Sequence, residues 1–266
     1  GASRSLYMDG NATIIAANKL LAAMRKEDGT LRTYDEMKAE GIETKYLGRY
    51  ETNTTPGLCR LDPNTGIGDP TPAFTYCLNL AEVEVDTKTG KTTVLKFTCV
   101  DFVGRIGNID AVNGQAYSGI MHGIGFALKE DYADVKKHAN MFGAGTSYIK
   151  DVPDDINLIH IDGAISDGPF GSSGASEAFQ ASGHCAVLNG IYNACGVRIH
   201  EIPALPEKVK AGLDAIAKGE KPYEPKKYFL GSDMYEELEN IKENPVQVGT
   251  QSFYVSLDDP TAERPF

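Results

Sequence analysis

The chain has 266 residues, of which 41% are hydrophobic and 24% are charged, as is usual for a folded globular protein. Its formal net charge of −11 at pH 7 argues against nucleic acid or an anionic membrane as a partner. No apolar run reaches the roughly 20 residues that a membrane-spanning helix needs. The five cysteines are scattered without a C-x-x-C pair, which indicates a reducing, cytoplasmic environment and no cysteine-based metal site.

The first part of the chain predicts one helix, an irregular connection and a hairpin. Asn11 is a candidate N-cap for a helix that continues to about Arg25. Residues 28–72 are rich in glycine, threonine, proline and charge, and are predicted to form an irregular connection with one short helix. Residues 81–85 alternate polar and apolar, a turn follows at 86–90, and the return strand covers 91–101.

The second part of the chain predicts helices interrupted by one strand. These elements are helix 114–132, strand 156–161, helix 178–195 closed by Gly196, helix 206–219 and a tail helix at 233–243. Because no strand–helix–strand rhythm repeats, the predicted fold class is α+β. We predict one domain over residues 1–225, followed by a C-terminal helix and extended tail over 226–266.

Four glycines in the helix at 114–132 require an explanation, since glycine weakens a helix by about 1 kcal/mol relative to alanine. Gly119 and Gly123 share a face, where they would allow another backbone to pack closely. Alternatively, the helix begins at Gly114–Gln115, and its free N–H groups and the Gln115 amide bind a ligand. The residues alone favour close packing over ligand binding.

Glu177 follows a glycine- and serine-rich loop and precedes an apolar helix. A carboxylate in a first helical turn is mildly stabilising and needs no function. A flexible loop that delivers a single carboxylate to a partly buried place also suits a general base. The residues alone leave these two interpretations equally open.

Four blocks of sequence carry further information: ASRSLYMDGNA near the start, CVDFVGRIGN followed by GQAYSGIMHGIGFALKE, GPFGSSGASE, and NGIYNACGVRIHEIPALPEKV. Together, and in this order along the chain, they resemble the molybdenum-binding subunit of the xanthine oxidase/aldehyde oxidoreductase family, the molybdenum hydroxylases. The third block is similar to the family pattern G-P-[FY]-G-[AS]-[SK]-G-V-G-E. The match implies that the chain is the C-terminal portion, or second half, of the molybdopterin-binding domain.

The resemblance implies how a metal would be held and by which residues. In this family a pterin dithiolene supplies the sulfur ligands of molybdenum, so the chain itself needs no metal ligand. The cofactor implied is molybdenum–molybdopterin cytosine dinucleotide. The residues that match cofactor-contacting positions are Gln115 with Gly114, and Ala2, Ser3, Arg4 and Ser5.

The resemblance also implies the activity. Glu177 matches the catalytic glutamate, a base for an oxidoreductase that converts aldehydes to carboxylic acids with water as the oxygen source. Expected partners are a chain or segment with the N-terminal half of the molybdenum domain and an iron–sulfur subunit or domain with 2Fe-2S clusters. An FAD subunit or domain is an optional addition. The chain is therefore expected to work in a hetero-oligomer and to be inactive alone.

Two alternatives remain open at this point. The first is hydroxylation of an N-heteroaromatic of the purine or nicotinate type by a molybdenum subunit split between chains. The second is a non-catalytic structural subunit, against which the presence of both Gln115 and Glu177 argues. The chain also departs from the family at Ser176, where glycine is more frequent, and at His122, where glutamine is common.

Overall fold

The computed structural model describes residues 3–51, 73–134, 136–165 and 167–220. Within these ranges the chain forms six α-helices and three β-strands. The helices are α1 (Ser5–Met24), α2 (Tyr34–Ala39), α3 (Ile109–Leu128), α4 (Ser176–Gln180), α5 (Gly183–Cys195) and α6 (Pro206–Ala217). The strands are β1 (Tyr76–Val85), β2 (Thr92–Phe102) and β3 (Asp155–His160). Single 3₁₀ turns lie at Ile149–Asp151 and Pro169–Gly171. The predicted tail helix and tail segment lie outside the described residues.

The three strands form one sheet in the order β1-β2-β3. β1 and β2 make the predicted antiparallel hairpin, and β3 pairs with β2 in parallel. The hairpin turn requires Gly90, whose φ is +78° and whose added Cβ would lie 2.0 Å from the Pro206 carbonyl oxygen. Helices α3 and α5 cover one face of the sheet around Phe97 and Val187, which are fully buried. The predicted α+β class is confirmed.

Two helices begin earlier than the sequence patterns predicted. Helix α1 begins at Ser5, so Asn11 lies inside the helix and is not its N-cap. Helix α3 begins at Ile109, because the Asn108 side chain accepts a hydrogen bond from the Ala111 N–H and caps the helix there. Gly114 and Gln115 are therefore past the first turn, and the prediction that the helix begins at these residues is wrong.

The predicted single helix 178–195 is two helices. Helix α4 ends at Gln180 and α5 begins at Gly183, with Gly196 closing α5 in the left-handed conformation as predicted. The break coincides with a close approach of two backbones, since an added Cβ at Gly123 would lie 2.9 Å from the Gly183 Cα. Within the described ranges, none of the helices combines the length and apolarity needed to cross a membrane.

Candidate cofactor and catalytic site

The loop before Glu177, which we call the glycine loop (residues 168–175), is held against the segment that follows β2. The Arg105 N–H donates to the Gly171 carbonyl oxygen at 2.8 Å, and the Ser172 hydroxyl donates to the Arg105 carbonyl oxygen at 2.6 Å. The Ser173 N–H donates to the Val103 carbonyl oxygen at 3.1 Å. These bonds fix a segment that its composition alone would leave flexible.

The N-terminal stretch lies directly against Glu177. The Ser3 hydroxyl donates to Glu177 Oε2 at 3.1 Å and accepts from the Glu177 N–H at 3.0 Å. An added Cβ at Gly174 would lie 1.6 Å from the Ser3 carbonyl oxygen, so only glycine permits this approach. Two residues that are 174 positions apart in sequence are thus joined by reciprocal hydrogen bonds.

Helix α1 also holds the glycine loop. The Asn11 amide donates both to the Tyr7 carbonyl oxygen and to the Asp167 carbonyl oxygen, each at 2.9 Å. An added Cβ at Gly10 would lie 2.7 Å from Pro169 Cγ, which makes this a close contact between helix and loop. Sequence reasoning missed this contribution of Asn11, because no local pattern links residues that are 156 positions apart.

The glycines of α3 bring that helix against α4, which carries Glu177. An added Cβ at Gly119 would lie 2.6 Å from Phe179 Cβ. The His122 Nδ1 lies 2.9 Å from the Gln180 Nε2, so the side chains of α3 and α4 are also linked by a hydrogen bond. The close-packing interpretation of Gly119 and Gly123 is therefore confirmed. His122, which stands where the family commonly has glutamine, has Gln180 as its hydrogen-bond partner.

Gly119→Ala is expected to destabilise the protein by about 1–3 kcal/mol, because the new methyl group forces α4 away from α3. The control is Gly107→Ala, outside the candidate site, whose added Cβ meets nothing within 4 Å. That control should be neutral or stabilise the protein by up to about 1 kcal/mol. Thermal unfolding of the purified assembly measures both. Equal stability of the Gly119→Ala variant and the wild type would contradict the α3–α4 contact.

Gln115 and Gly114 lie on the exposed part of α3. Gln115 precedes Gly119 by four residues, so it shares a face with the residue that contacts α4 and lies one turn before it. The backbone N–H groups of Gly114 and Gln115 belong to the helix, which leaves the Gln115 side-chain amide as the accessible donor and acceptor. Arg4 and Ser5 are exposed at the start of α1, and Ala2 lies outside the described residues.

Glu177 itself is exposed in the first turn of α4, rather than partly buried. The exposed groups of the candidate residues are the Glu177 carboxylate, the Gln115 amide, the Ser5 hydroxyl and the Arg4 guanidinium. Among the described residues, no three His, Cys, Asp or Glu side chains group in a way that could hold a metal ion. Such a donor set fits a polar cofactor that brings its own metal ligands, with space for it at Gly114.

A cavity of about 830 Å³ lies elsewhere in the fold. It is lined by the start of β2, the end of α3 and residues 204–206, and includes Lys129 and Asp151. None of the candidate site residues lines it. The candidate site therefore lies outside this cavity.

Comparison with known proteins gives a family and several relatives. Residues 1–153 match the model of the molybdopterin cofactor-binding domain. The aldehyde oxidoreductase of Megalodesulfovibrio gigas is 43% identical over 215 residues, which are 81% of this chain and 23% of that protein. The probable hypoxanthine oxidase of Escherichia coli K12 is 30% identical over 151 residues, 55% of this chain and 16% of its own length.

A solved structure shares the fold. The crystal structure of the aldehyde oxidoreductase from Desulfovibrio desulfuricans ATCC 27774 matches 79% of this chain with a TM-score of 0.74 and 44% identity. The match covers 23% of that chain. The present chain thus spans about a quarter of the length of these aldehyde oxidoreductases.

Proposed function

Because the chain belongs to the molybdenum hydroxylase family, we propose that it forms part of an enzyme that oxidises aldehydes to carboxylic acids with water as the oxygen source. In this proposal it contributes Glu177 as the catalytic base and part of the site for molybdopterin cytosine dinucleotide. The observation that carries the proposal is the reciprocal hydrogen bonding of Ser3 and Glu177 at 3.1 and 3.0 Å. It joins the stretch proposed to contact the cofactor to the residue proposed to act on the substrate.

In this proposal the candidate residues make different contacts to the cofactor. Gln115 hydrogen bonds to the cofactor through its amide, Gly114 leaves space beside it, and the Arg4 guanidinium meets a phosphate of the dinucleotide. Ser5 is exposed next to Arg4. Ala2, which lies outside the described residues, is proposed as a further cofactor contact. The cofactor, when bound, supplies the activated oxygen and accepts the electrons.

Glu177 removes the proton that hydroxylation releases. The Ser3 hydroxyl holds one carboxylate oxygen, Oε2, which leaves Oε1 for the proton. The second bond, from the Glu177 N–H to Ser3 Oγ, fixes the first turn of α4 and with it the direction of the side chain. A base held in this way needs little rearrangement before proton transfer.

The outer face of the sheet supports a partner that completes the site. Tyr76, Leu78 and Leu80 on β1 are 64%, 63% and 57% exposed. Their cross-strand partners include Phe102 and Val100 on β2, so the apolar surface continues across the sheet. Large contiguous apolar patches are rare on monomers and mark interaction sites.

We propose that this face packs on the chain or segment carrying the other half of the molybdenum domain. That partner, together with an iron–sulfur domain and an optional FAD domain, would complete a hetero-oligomeric or multidomain enzyme. This chain alone would be inactive. The four cysteines in the described ranges are free thiols, which supports the cytoplasm as the compartment. The predicted boundary at residue 226 stays a prediction.

Gln115→Ala is expected to weaken cofactor retention by about 1–3 kcal/mol, or roughly five- to 150-fold, while the fold stays intact. Molybdenum and pterin remaining in the purified complex after extended dialysis measure this loss. The matched control is Asn18→Ala, which removes an exposed amide from α1. Equal retention by the Gln115→Ala variant and the control would contradict the role of Gln115.

A second enzymatic candidate is hydroxylation of an N-heteroaromatic, favoured by the 30% identity to a probable hypoxanthine oxidase. The pocket that selects the substrate would be completed by the partner, so turnover of aldehydes against purines by the whole complex distinguishes the two. A purely structural subunit would yield a complex without molybdenum or pterin. Metal and pterin analysis of the wild-type complex therefore tests whether the chain belongs to a working enzyme.

A further inference from the structure

Three side chains form a hydrogen-bonded network between the sheet and α3. His160, the last residue of β3, places Nδ1 2.7 Å from Asp101 Oδ2 on β2. Its other ring nitrogen, Nε2, lies 2.8 Å from Asn113 Oδ1 on α3. The Asp101 side chain is fully buried and the His160 side chain is 13% exposed. We call these residues the Asp101–His160–Asn113 network.

Burying the Asp101–His160–Asn113 network costs free energy, because it contains a carboxylate. Removing a carboxylate from water carries a penalty of several kcal/mol, which an ion pair or hydrogen bond offsets only in part. Burial raises the pKa of Asp101, while the hydrogen bond to His160 acts in the opposite direction. The second carboxylate oxygen, Oδ1, is buried without a hydrogen-bond partner among the described residues. Apolar side chains would pack this place more cheaply, so stability alone does not account for it.

The far end of this network lies in the first two turns of α3, where Val112 is partly buried against the core. The fully buried residues of α3 begin at Ala116, and the seven residues before it, 109–115, include none. Asn113 belongs to this segment and lies two residues before Gln115. Its hydrogen bond to His160 therefore ties the exposed turn of α3 to the buried sheet.

We propose that Asp101 and His160 are positioning residues, which act through Asn113 to hold the Gln115 turn of α3 in place for the cofactor. Asp101 fixes the ring of His160, and the ring fixes the Asn113 side chain. Because Gln115 is exposed and follows Asn113 by two residues, this attachment helps to set the direction of its amide. The inference rests on the proposed cofactor contact of Gln115.

The variant that separates positioning from folding is Asn113→Ala. It removes the link at its partly exposed end and leaves the buried Asp101–His160 pair intact. Asn113→Asp is the conservative partner, because it keeps the size of the side chain and an oxygen at the position of Asn113 Oδ1, 2.8 Å from His160 Nε2. Both are made in the complete enzyme complex beside Gln115→Ala, and the molybdenum and pterin retained after dialysis are measured together with the midpoint of thermal unfolding.

We expect Asn113→Ala to lose cofactor about tenfold faster than wild type, with an unchanged unfolding midpoint, and Asn113→Asp to restore retention. Adding Asn113→Ala to His160→Ala should cause no further loss, since both cut the same link. If the Asn113→Ala variant retains molybdenum and pterin like wild type while the Gln115→Ala variant loses them, the inference is overturned and the proposed function stands. Normal retention by Gln115→Ala would overturn both the proposed contact and the positioning role. Failure of Asn113→Asp to restore retention would also overturn the inference.

Discussion

Replacing Glu177 with glutamine is expected to lower turnover of the assembled enzyme by about 10²- to 10⁴-fold, the usual contribution of a general base. Glutamine has nearly the same size and keeps an oxygen that accepts from the Ser3 hydroxyl. The backbone bond from residue 177 to Ser3 Oγ is also unaffected. The variant should therefore bind molybdenum and pterin at the wild-type level and lose only its ability to accept the proton.

The alternative for Glu177 is a carboxylate that only complements the α4 dipole, which would contribute less than about 1 kcal/mol. Glu207→Gln is the matched control, because Glu207 is an exposed carboxylate in the first turn of α6. Steady-state turnover and cofactor content are measured for both variants. A Glu177→Gln enzyme that turns over within tenfold of wild type would behave like the control and contradict catalysis by Glu177.

Leu78→Asp is expected to weaken association with the partner by at least about 10²-fold, or roughly 3 kcal/mol, because a charge would be buried at the centre of an apolar interface. Leu78 is 63% exposed in the described structure, so the fold of the chain itself should tolerate the change. Leu78 faces the outer side of β1, opposite Val100. The effect should therefore fall on assembly rather than on folding.

Leu47→Asp is the control for this variant. Leu47 is 82% exposed, does not belong to the sheet, and its carbonyl oxygen accepts a hydrogen bond from Lys19 on α1. Co-purification of the partner and a titration of binding affinity measure the outcome. Unchanged affinity for the Leu78→Asp variant would show that the outer sheet face is not the interface. The site would then need another surface for its completion.

Local patterns predicted those elements whose signals lie in neighbouring residues. The hairpin was predicted because alternation at 81–85 and turn residues at 86–90 act over a few positions, and Gly196 was predicted as the end of a helix for the same reason. The start of α3 was missed because Gly104 and Gly107 make the preceding segment resemble a loop that continues further. The capping side chain of Asn108 decides the boundary instead.

The site itself could not be assembled from local patterns. Ser3 and Glu177 are 174 positions apart, and neither periodicity nor composition connects them. The family resemblance identified both residues separately, while their hydrogen bonds emerged only with the fold. The break between α4 and α5 was also beyond local patterns, because it coincides with the contact of Gly183 with Gly123 on another helix.

The central claim is that Glu177 acts as the base while this chain holds part of the molybdenum cofactor. The most direct test is rapid mixing of aldehyde with the cofactor-loaded Glu177→Gln complex, followed by the rate at which substrate reduces the molybdenum centre. We predict reduction at least about 10²-fold slower than in wild type, whereas reoxidation of the pre-reduced variant stays at the wild-type rate. Reduction within tenfold of the wild-type rate, at full cofactor content, would contradict the claim.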